Sequence, residues 1–312
     1  MSKYDEYTVT GIRDYPLGSR KSKVEIEQFA QALQEDSISG LIASFPDLLA
    51  AKKLQFLADR IKEARDKGRA IIWGFGGHVI KVGLSPILID LMERNFITAL
   101  ATNGSSIIHD FEIAFCGHTS EEVDEQLSSG AFGMARETAE CLNQAISQGA
   151  SRGKGIGESV GYFLEDSSLE YPQLSLLLQA YKRDIPCSVH VAIGTDIIHN
   201  HPTASGEALG KGSLIDFRVF AKQVSLLHDG GVYLNLGSAV ILPEVFLKAV
   251  SIIRNTGSEL EGFTTANLDF IQHYRPSRNV LERPVSETGV GIGLTGHHEI
   301  MVPLLAALLI HG

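Results

Sequence analysis

His109, Asp110 and Glu112 fall within four consecutive residues of the 312-residue chain, in the order His-Asp-Phe-Glu. They sit about one turn into a segment that reads as a helix opening after a strand, so their side chains can face a pocket at the strand's end. Imidazole exchanges a proton near neutral pH, which makes His109 the candidate general acid or base. Asp110 or Glu112 could orient a neighbouring group or hold a cation. The structural alternative is a histidine that packs or caps locally, with carboxylates that favour a helix N-terminus. A second constellation runs from Asp196 through Ile197, Ile198, His199 and Asn200 to His201. Its residue types could ligate a metal, but a polar loop around a small-molecule site is the preferred reading. On that reading Asp196 and His199 are candidate catalytic groups and no metal is expected. His297-His298-Glu299 opens the last helix, where a structural and a site role are equally open. There is no Gly-x-Ser-x-Gly elbow, and Cys116 and Cys187 carry no motif that marks a nucleophile.

The elements that must position these residues are short apolar strands alternating with helices. Strands are expected at Ala70–Phe75, Phe96–Ala101, Cys187–Ile193, Gly231–Leu236 and Gly262–Ala266, each with a helix before or after it. Continuous apolar strands separated by helices predict an α/β fold, a doubly wound, mainly parallel sheet covered on both faces. Upstream, two amphipathic helices are expected over roughly 24–35, with Val24, Ile26, Phe29 and Leu33 apolar, and over 46–67, ending at Gly68. Leu84–Arg94 reads as a helix with Pro86 in its first turn. Asn103–Ser106 reads as a turn before a helix opening at Ile107. Residues 116–185 read as a helical excursion, with Thr119 as an N-cap, Arg136–Gln148 as helix and Gly149–Gly157 as a mobile loop. Residues 1–23 are polar and aperiodic, an arm on the surface or on a partner; residues 24–312 read as one domain.

In such a sheet, ligands bind at the carboxyl ends of the strands, where bare amides and helix N-termini can hold phosphates. The turns there are rich in Gly, Ser, Asn and His: Gly74–His78, Thr102–Ser106, Gly194–Asp196, Leu236–Ser238 and Thr264–Asp269. Small residues also serve tight turns, but five such turns together point to a nucleotide. The contacts are assigned to Gly76, Gly77, His78, Asn103, Gly104, Ser105, Gly237, Ser238, Asn267 and Asp269. The usual G-x-G-x-x-G fingerprint and the Walker motif are both absent.

A net charge of −10, from 27 basic and 37 acidic residues, argues against a nucleic-acid or anionic membrane surface and suits a cationic substrate. Three cysteines with no CxxC pair read as reduced and cytoplasmic. The first residues, Met1 to Glu6, have no signal-peptide core, and the longest apolar tract, Ile300–Ile310, falls short of the about 20 residues that span a bilayer.

Several of these segments resemble deoxyhypusine synthase and its relatives, which bind NAD on a modified Rossmann sheet. Trp73–Ser85 is similar to the family's first nucleotide turn and following helix, Ala101–Asp110 to its Thr-Thr-Ala-Gly-Gly-x-Glu-Glu-Asp segment, Ile193–Ile198 to its Leu-Gly-Asp segment, and Val302–Leu305 to its last helix. Asn103–Ala114 is also similar to the Asn-Ala-x-x-x-His-Asp-x-Glu-x-Ala run of the NAD-dependent ornithine cyclodeaminase-type domain. The resemblance implies NAD as cofactor, a small-molecule amine as partner, and a homo-oligomer, a tetramer in this family. It departs at one decisive place. The stretch Ser286–Thr295 lacks the Trp-Gly-Lys segment whose lysine carries the family's imine, and the last lysine of the chain is Lys248. Ile108-His109 replaces the family's acidic pair. The expected function is therefore NAD-dependent oxidation of a C–N bond in a small amine or basic amino acid. The alternatives are an aminoalkyl transferase without the lysine intermediate, or a non-catalytic NAD- or ligand-sensing protein. Asp269 could accept a hydrogen bond from a ribose hydroxyl, favouring NAD over NADP.

Overall fold

The structure, a computed structural model, describes residues 3–285 and 287–312. Met1, Ser2 and Ser286, which enter the readings above, lie outside the described residues. In chain order the elements are α1 Ile38–Ala43, α2 Leu49–Asp66, β1 Ile71–Phe75, α3 Gly77–Lys81, α4 Ser85–Glu93, β2 Ala99–Asn103 and α5 Gly104–Cys116. Then follow α6 Val123–Ser129, α7 Arg136–Ser151, α8 Ile156–Glu165, α9 Leu176–Lys182, β3 Cys187–His190 and α10 Gly206–Ser225. The chain closes with β4 Val232–Leu236, α11 Ile241–Asn255, β5 Thr264–Asp269, the single turn α12 Tyr274–Pro276, β6 Val290–Thr295 and α13 His298–His311.

Among the described residues the strands form one six-stranded sheet in the order β3-β2-β1-β4-β5-β6, with all neighbours parallel. Strand alternation sorts the core. Ile71, Trp73 and Phe75 face the layer of α2, α4 and α13, where Leu57, Ile61, Leu88 and Leu305 are buried. Ile72 faces the opposite layer with Phe220 of α10 and Phe246 of α11. Each such fully buried side chain contributes about 1.5–3 kcal/mol of transfer free energy. A third cluster joins Ile107 and Phe111 of α5 to Leu142 of α7 and Val160 of α8. This α/β architecture is the expected doubly wound sheet. No helix among the described residues is long and apolar enough to cross a membrane.

Several boundaries differ from the sequence reading. The expected helix over 24–35 is only a 3-10 turn at Ile26–Gln28, and Val24, Ile26, Phe29 and Leu33 are exposed. A helix of that length is marginal without a surface to bury its apolar face on, and the described residues supply none for these side chains. Strand β2 is shifted toward Asn103, and the expected turn Asn103–Ser106 does not exist, because α5 opens at Gly104 directly. Strand β5 ends at Asp269, so Asn267 and Asp269 lie within the strand rather than beyond it. Helix α7 runs to Ser151 and α8 begins at Ile156, which shrinks the expected loop at Gly149–Gly157 to a tight turn. The helix expected after Thr119 begins at Val123, with Glu122 rather than Thr119 at the N-cap position.

Candidate active site

All six strands end at the same edge, so the turns that follow them converge there. Across that edge come Gly194–Asp196 after β3, Asn103–Ser105 after β2, Gly76–His78 after β1, Gly237–Ser238 after β4, Asp269 at the end of β5 and His297–His298 after β6. Glycine is what lets these turns touch. A Cβ on Gly77 would lie 2.4 Å from Ser105 Oγ and 3.3 Å from His109 Cδ2, and one on Gly104 would lie 2.0 Å from Asp196 Oδ2. A Cβ on Gly76 would come within 3.1 Å of the Gly237 carbonyl oxygen, and Gly237 itself has φ +65° with His298 packed against it.

A cavity of about 240 Å³ opens between α3, α5 and the Gly194–Ile197 turn, lined by Ser105, His109, Glu112, Glu121, Asp196 and Lys81 among others. Half-buried His109 and Glu112 stand three residues apart on α5 and so share one helix face. His109 Nδ1 lies 2.7 Å from Thr119 Oγ1, and the Thr119 hydroxyl donates to Glu112 Oε2 at 2.5 Å. Thr138 donates to the other carboxylate oxygen at 3.0 Å. Burial, then the nearby charges of Lys81 and His78, hold the His109 imidazolium below its ordinary range. Burial pushes the Asp196 carboxyl up to about 6, opposed by the neighbouring Thr195 hydroxyl. Asp196 Oδ2 is buried without a hydrogen-bond partner among the described residues. His199 stands beside it: its Nδ1 accepts from Gly194 N at 3.1 Å and Asp196 N at 3.3 Å, and its Nε2 lies 4.0 Å from Asp196 Oδ2. Burial lowers its pKa.

The structure does not bring Asp110 to this cavity. One residue along a helix is a rotation of about 100°, so Asp110 turns away from His109 and into the protein. Its carboxylate accepts from Ser175 Oγ and Leu176 N, both at 2.6 Å, and from Leu177 N at 3.3 Å, which ties α5 to the start of α9. Of the residues assigned to the cofactor, Gly76, Gly77, His78, Gly104, Ser105, Gly237 and Ser238 lie on the turns at the edge. His78 is exposed; the Ser238 hydroxyl accepts from Leu242 N at the start of α11. Asn103 accepts from Ser105 Oγ and Ser106 Oγ with its side-chain oxygen. Asn267 is fully buried and its amide is engaged at both ends, accepting from Asn235 Nδ2 at 2.7 Å and donating to Gln272 Oε1 at 2.9 Å. Asp269 is also buried, and its Oδ1 accepts from Phe270 N. Sequence reasoning missed Lys81 as a cavity group, and Thr119 and Thr138 as the hydroxyls that contact His109 and Glu112. Thr119 carried a signal, a hydroxyl ten residues from His109 in a helix-flanking turn, but that signal equally describes a cap.

No family model matches the chain. It is 24% identical over 239 residues to a deoxyhypusine synthase-like protein of Elusimicrobium minutum, covering 67% of this chain and 62% of that one. It is 21% identical over 189 residues to a deoxyhypusine synthase-like protein of Chlorobaculum tepidum, covering 54% and 53%. The chain thus spans between half and two thirds of the length of the curated relatives it matches. Among solved structures, AgrE in its ternary complex with ornithine and NAD+ superposes with a TM-score of 0.54 at 15% identity, over 84% of this chain and 34% of that one. A deoxyhypusine synthase candidate from Entamoeba histolytica superposes with a TM-score of 0.53 at 12% identity, over 87% and 92%. At these identities the superpositions show a shared fold. The chain is similar in sequence to the deoxyhypusine synthase-like proteins, and its six-stranded parallel sheet is the Rossmann-like fold of these neighbours.

Proposed function

We propose that this chain is an NAD-dependent enzyme that oxidises a C–N bond of a small amine or basic amino acid to an imine, with His109 as the acid–base residue. The observation that carries the reading is the cavity at the strand ends, where a histidine held neutral and a buried carboxylate with a free oxygen line the same space. The cofactor fits the edge beside it. The strand order reverses between β1 and β4, the place where open α/β sheets leave a crevice. Gly76, Gly77 and Gly237 keep that crevice free of side chains and let the cofactor approach the backbone closely. Asp269 would accept from a ribose hydroxyl, favouring NAD over NADP. NAD, when bound, accepts the hydride from the carbon that bears the nitrogen.

The chain's own residues do the rest. Asp196 Oδ2, at the N-terminus of α5, receives a cationic ammonium group. His109 takes the proton released from nitrogen as the C=N bond forms, and returns it to water or to the product. Chain similarity to AgrE, which was solved with ornithine and NAD+, supports this choice of substrate class. The absence of a lysine from the stretch 286–295, where the resembled family has its imine lysine, argues against a transfer carried by a lysine imine. We further read residues 1–23 as an arm on a body of residues 24–312, and the assembly as a homo-oligomer, a tetramer. The support is the resemblance together with an arm whose Tyr7, Ile12 and Leu17 are between 71% and 93% exposed. Calorimetric titration tests the cofactor: NAD binds and NADP binds more weakly. Absence of NAD binding, or a preference for NADP, contradicts the proposal.

A further inference from the structure

We infer that Thr119 and Glu112 are positioning residues that set the tautomer of His109, keeping its proton on Nδ1 and leaving Nε2 bare to act as the base. The inference rests on the proposed role of His109 and adds what prepares it. A threonine hydroxyl has one proton and two lone pairs. That proton goes to Glu112 Oε2 at 2.5 Å, the short distance of a hydroxyl bonded to a carboxylate. A carboxylate cannot give a proton back, so the hydroxyl offers only a lone pair to His109 Nδ1, 2.7 Å away. Nδ1 must therefore be the donor, and in a neutral imidazole Nε2 is then unprotonated. Free histidine favours the opposite tautomer, so the protein imposes this one.

The fold holds the relay in place at three points. His109 and Glu112 are three residues apart on α5, so both reach the same hydroxyl. Thr138 of α7 donates to Glu112 Oε1 and keeps the carboxylate from swinging away. Gly117 ends α5 in the left-handed region at φ +80°, with its N–H on the Ile113 carbonyl, and this reverses the chain so that Thr119 returns along the helix. Any other residue is strained there at this φ, and its Cβ would lie 2.6 Å from the Tyr171 ring, which would have to shift. When Nε2 takes a proton, the charge on the ring is shared through the Thr119 hydroxyl with Glu112. This is the same division of labour in which a third group orients and steadies a catalytic base.

Long-range ¹H–¹⁵N correlation spectra of labelled protein read the tautomer without substrate, the His109 signals being identified by their loss in His109→Gln. The expected spectrum has a pyrrole-type Nδ1 and a pyridine-type Nε2. Thr119→Val moves the ring toward the Nε2–H form, and Thr119→Ser restores the native pattern. Glu112→Gln is the second variant: its amide donates to Thr119, whose proton then turns to Nδ1, and the Nε2–H form rises. On a substrate, Thr119→Val lowers kcat by about 10-fold with KM nearly unchanged, a fraction of the about 10²–10⁴ that a positioned acid–base group contributes. An Nε2–H tautomer in the native protein, or a ring indifferent to both variants, overturns the inference. If instead the tautomer is as expected but His109→Gln keeps full turnover, the proposed catalytic role falls and the tautomer assignment stands.

Discussion

Asp110 accepts three hydrogen bonds at the start of α9, while His109, its neighbour, faces the cavity. Helical geometry divides the His-Asp-Phe-Glu run into a face toward the cavity and a face toward the interior. Asp110→Ala leaves one hydroxyl and two amides unpaired in the interior and is expected to destabilise the protein by about 3 kcal/mol, without removing cofactor affinity from the fraction that folds. Chemical denaturation checks the first part; a loss of NAD affinity with unchanged stability would place Asp110 in the site after all. His190 offers a pH test. Burial in β3 pushes its pKa down to about 3, and its Nε2 pairs with Ser188 Oγ. Because the folded value lies below the ordinary 6.5, the unfolded chain binds the proton first. Stability is whole above pH 6.5 and falls by about 1.4 kcal/mol per unit as the pH drops toward 3. His190→Gln should therefore lose about 2 kcal/mol less than the native protein between pH 7 and pH 5, by denaturant titration at each pH. Equal losses would mean that His190 is not held neutral.

At the scale of elements, helix–strand alternation was legible because apolar runs such as Ala70–Phe75 and Gly231–Leu236 lie between clear helical stretches. What the chain hid has physical causes. Strand β6 carries Gly291 and Gly293, which weaken strand propensity; it forms because β5 offers a complete parallel partner from Thr264 to Asp269. Helices α8 and α3 carry glycines in their first turns that packing requires. A Cβ on Gly157 would lie 1.7 Å from the Cys187 carbonyl oxygen, a backbone atom that cannot step aside. Gly157→Ala is expected to destabilise the fold by about 1–3 kcal/mol, seen as a lower melting temperature. An unchanged melt would show that α8 can lift from β3 freely. The candidate site was legible in part for the same reason. The turn residues announced themselves as glycines, but Thr119 and Thr138 reach Glu112 only through the chain reversal at Gly117 and the packing of α7 on α5.

Seen whole, the molecule gathers residues from positions as far apart as Gly76 and His298 at one edge of one sheet, and it is the strand order that does so. That order is not written in any local pattern; it emerges from which apolar strands each crossover can reach. The exposed apolar side chains between Tyr4 and Leu33 are the other whole-molecule feature, and they suit burial against further copies. Light scattering at micromolar concentration should return an oligomer, and a particle of the monomer mass would contradict that. The central claim, amine oxidation by NAD with His109 taking the proton, is tested most directly in a single turnover. Enzyme and NAD are mixed at equal concentration with a panel of polyamines and basic amino acids, and NADH absorbance is followed in the first turnover, native protein beside His109→Gln. The account predicts an NADH transient with at least one amine, slowed by about 10²-fold or more in the variant. No transient with any amine, or an undiminished one in His109→Gln, would contradict it.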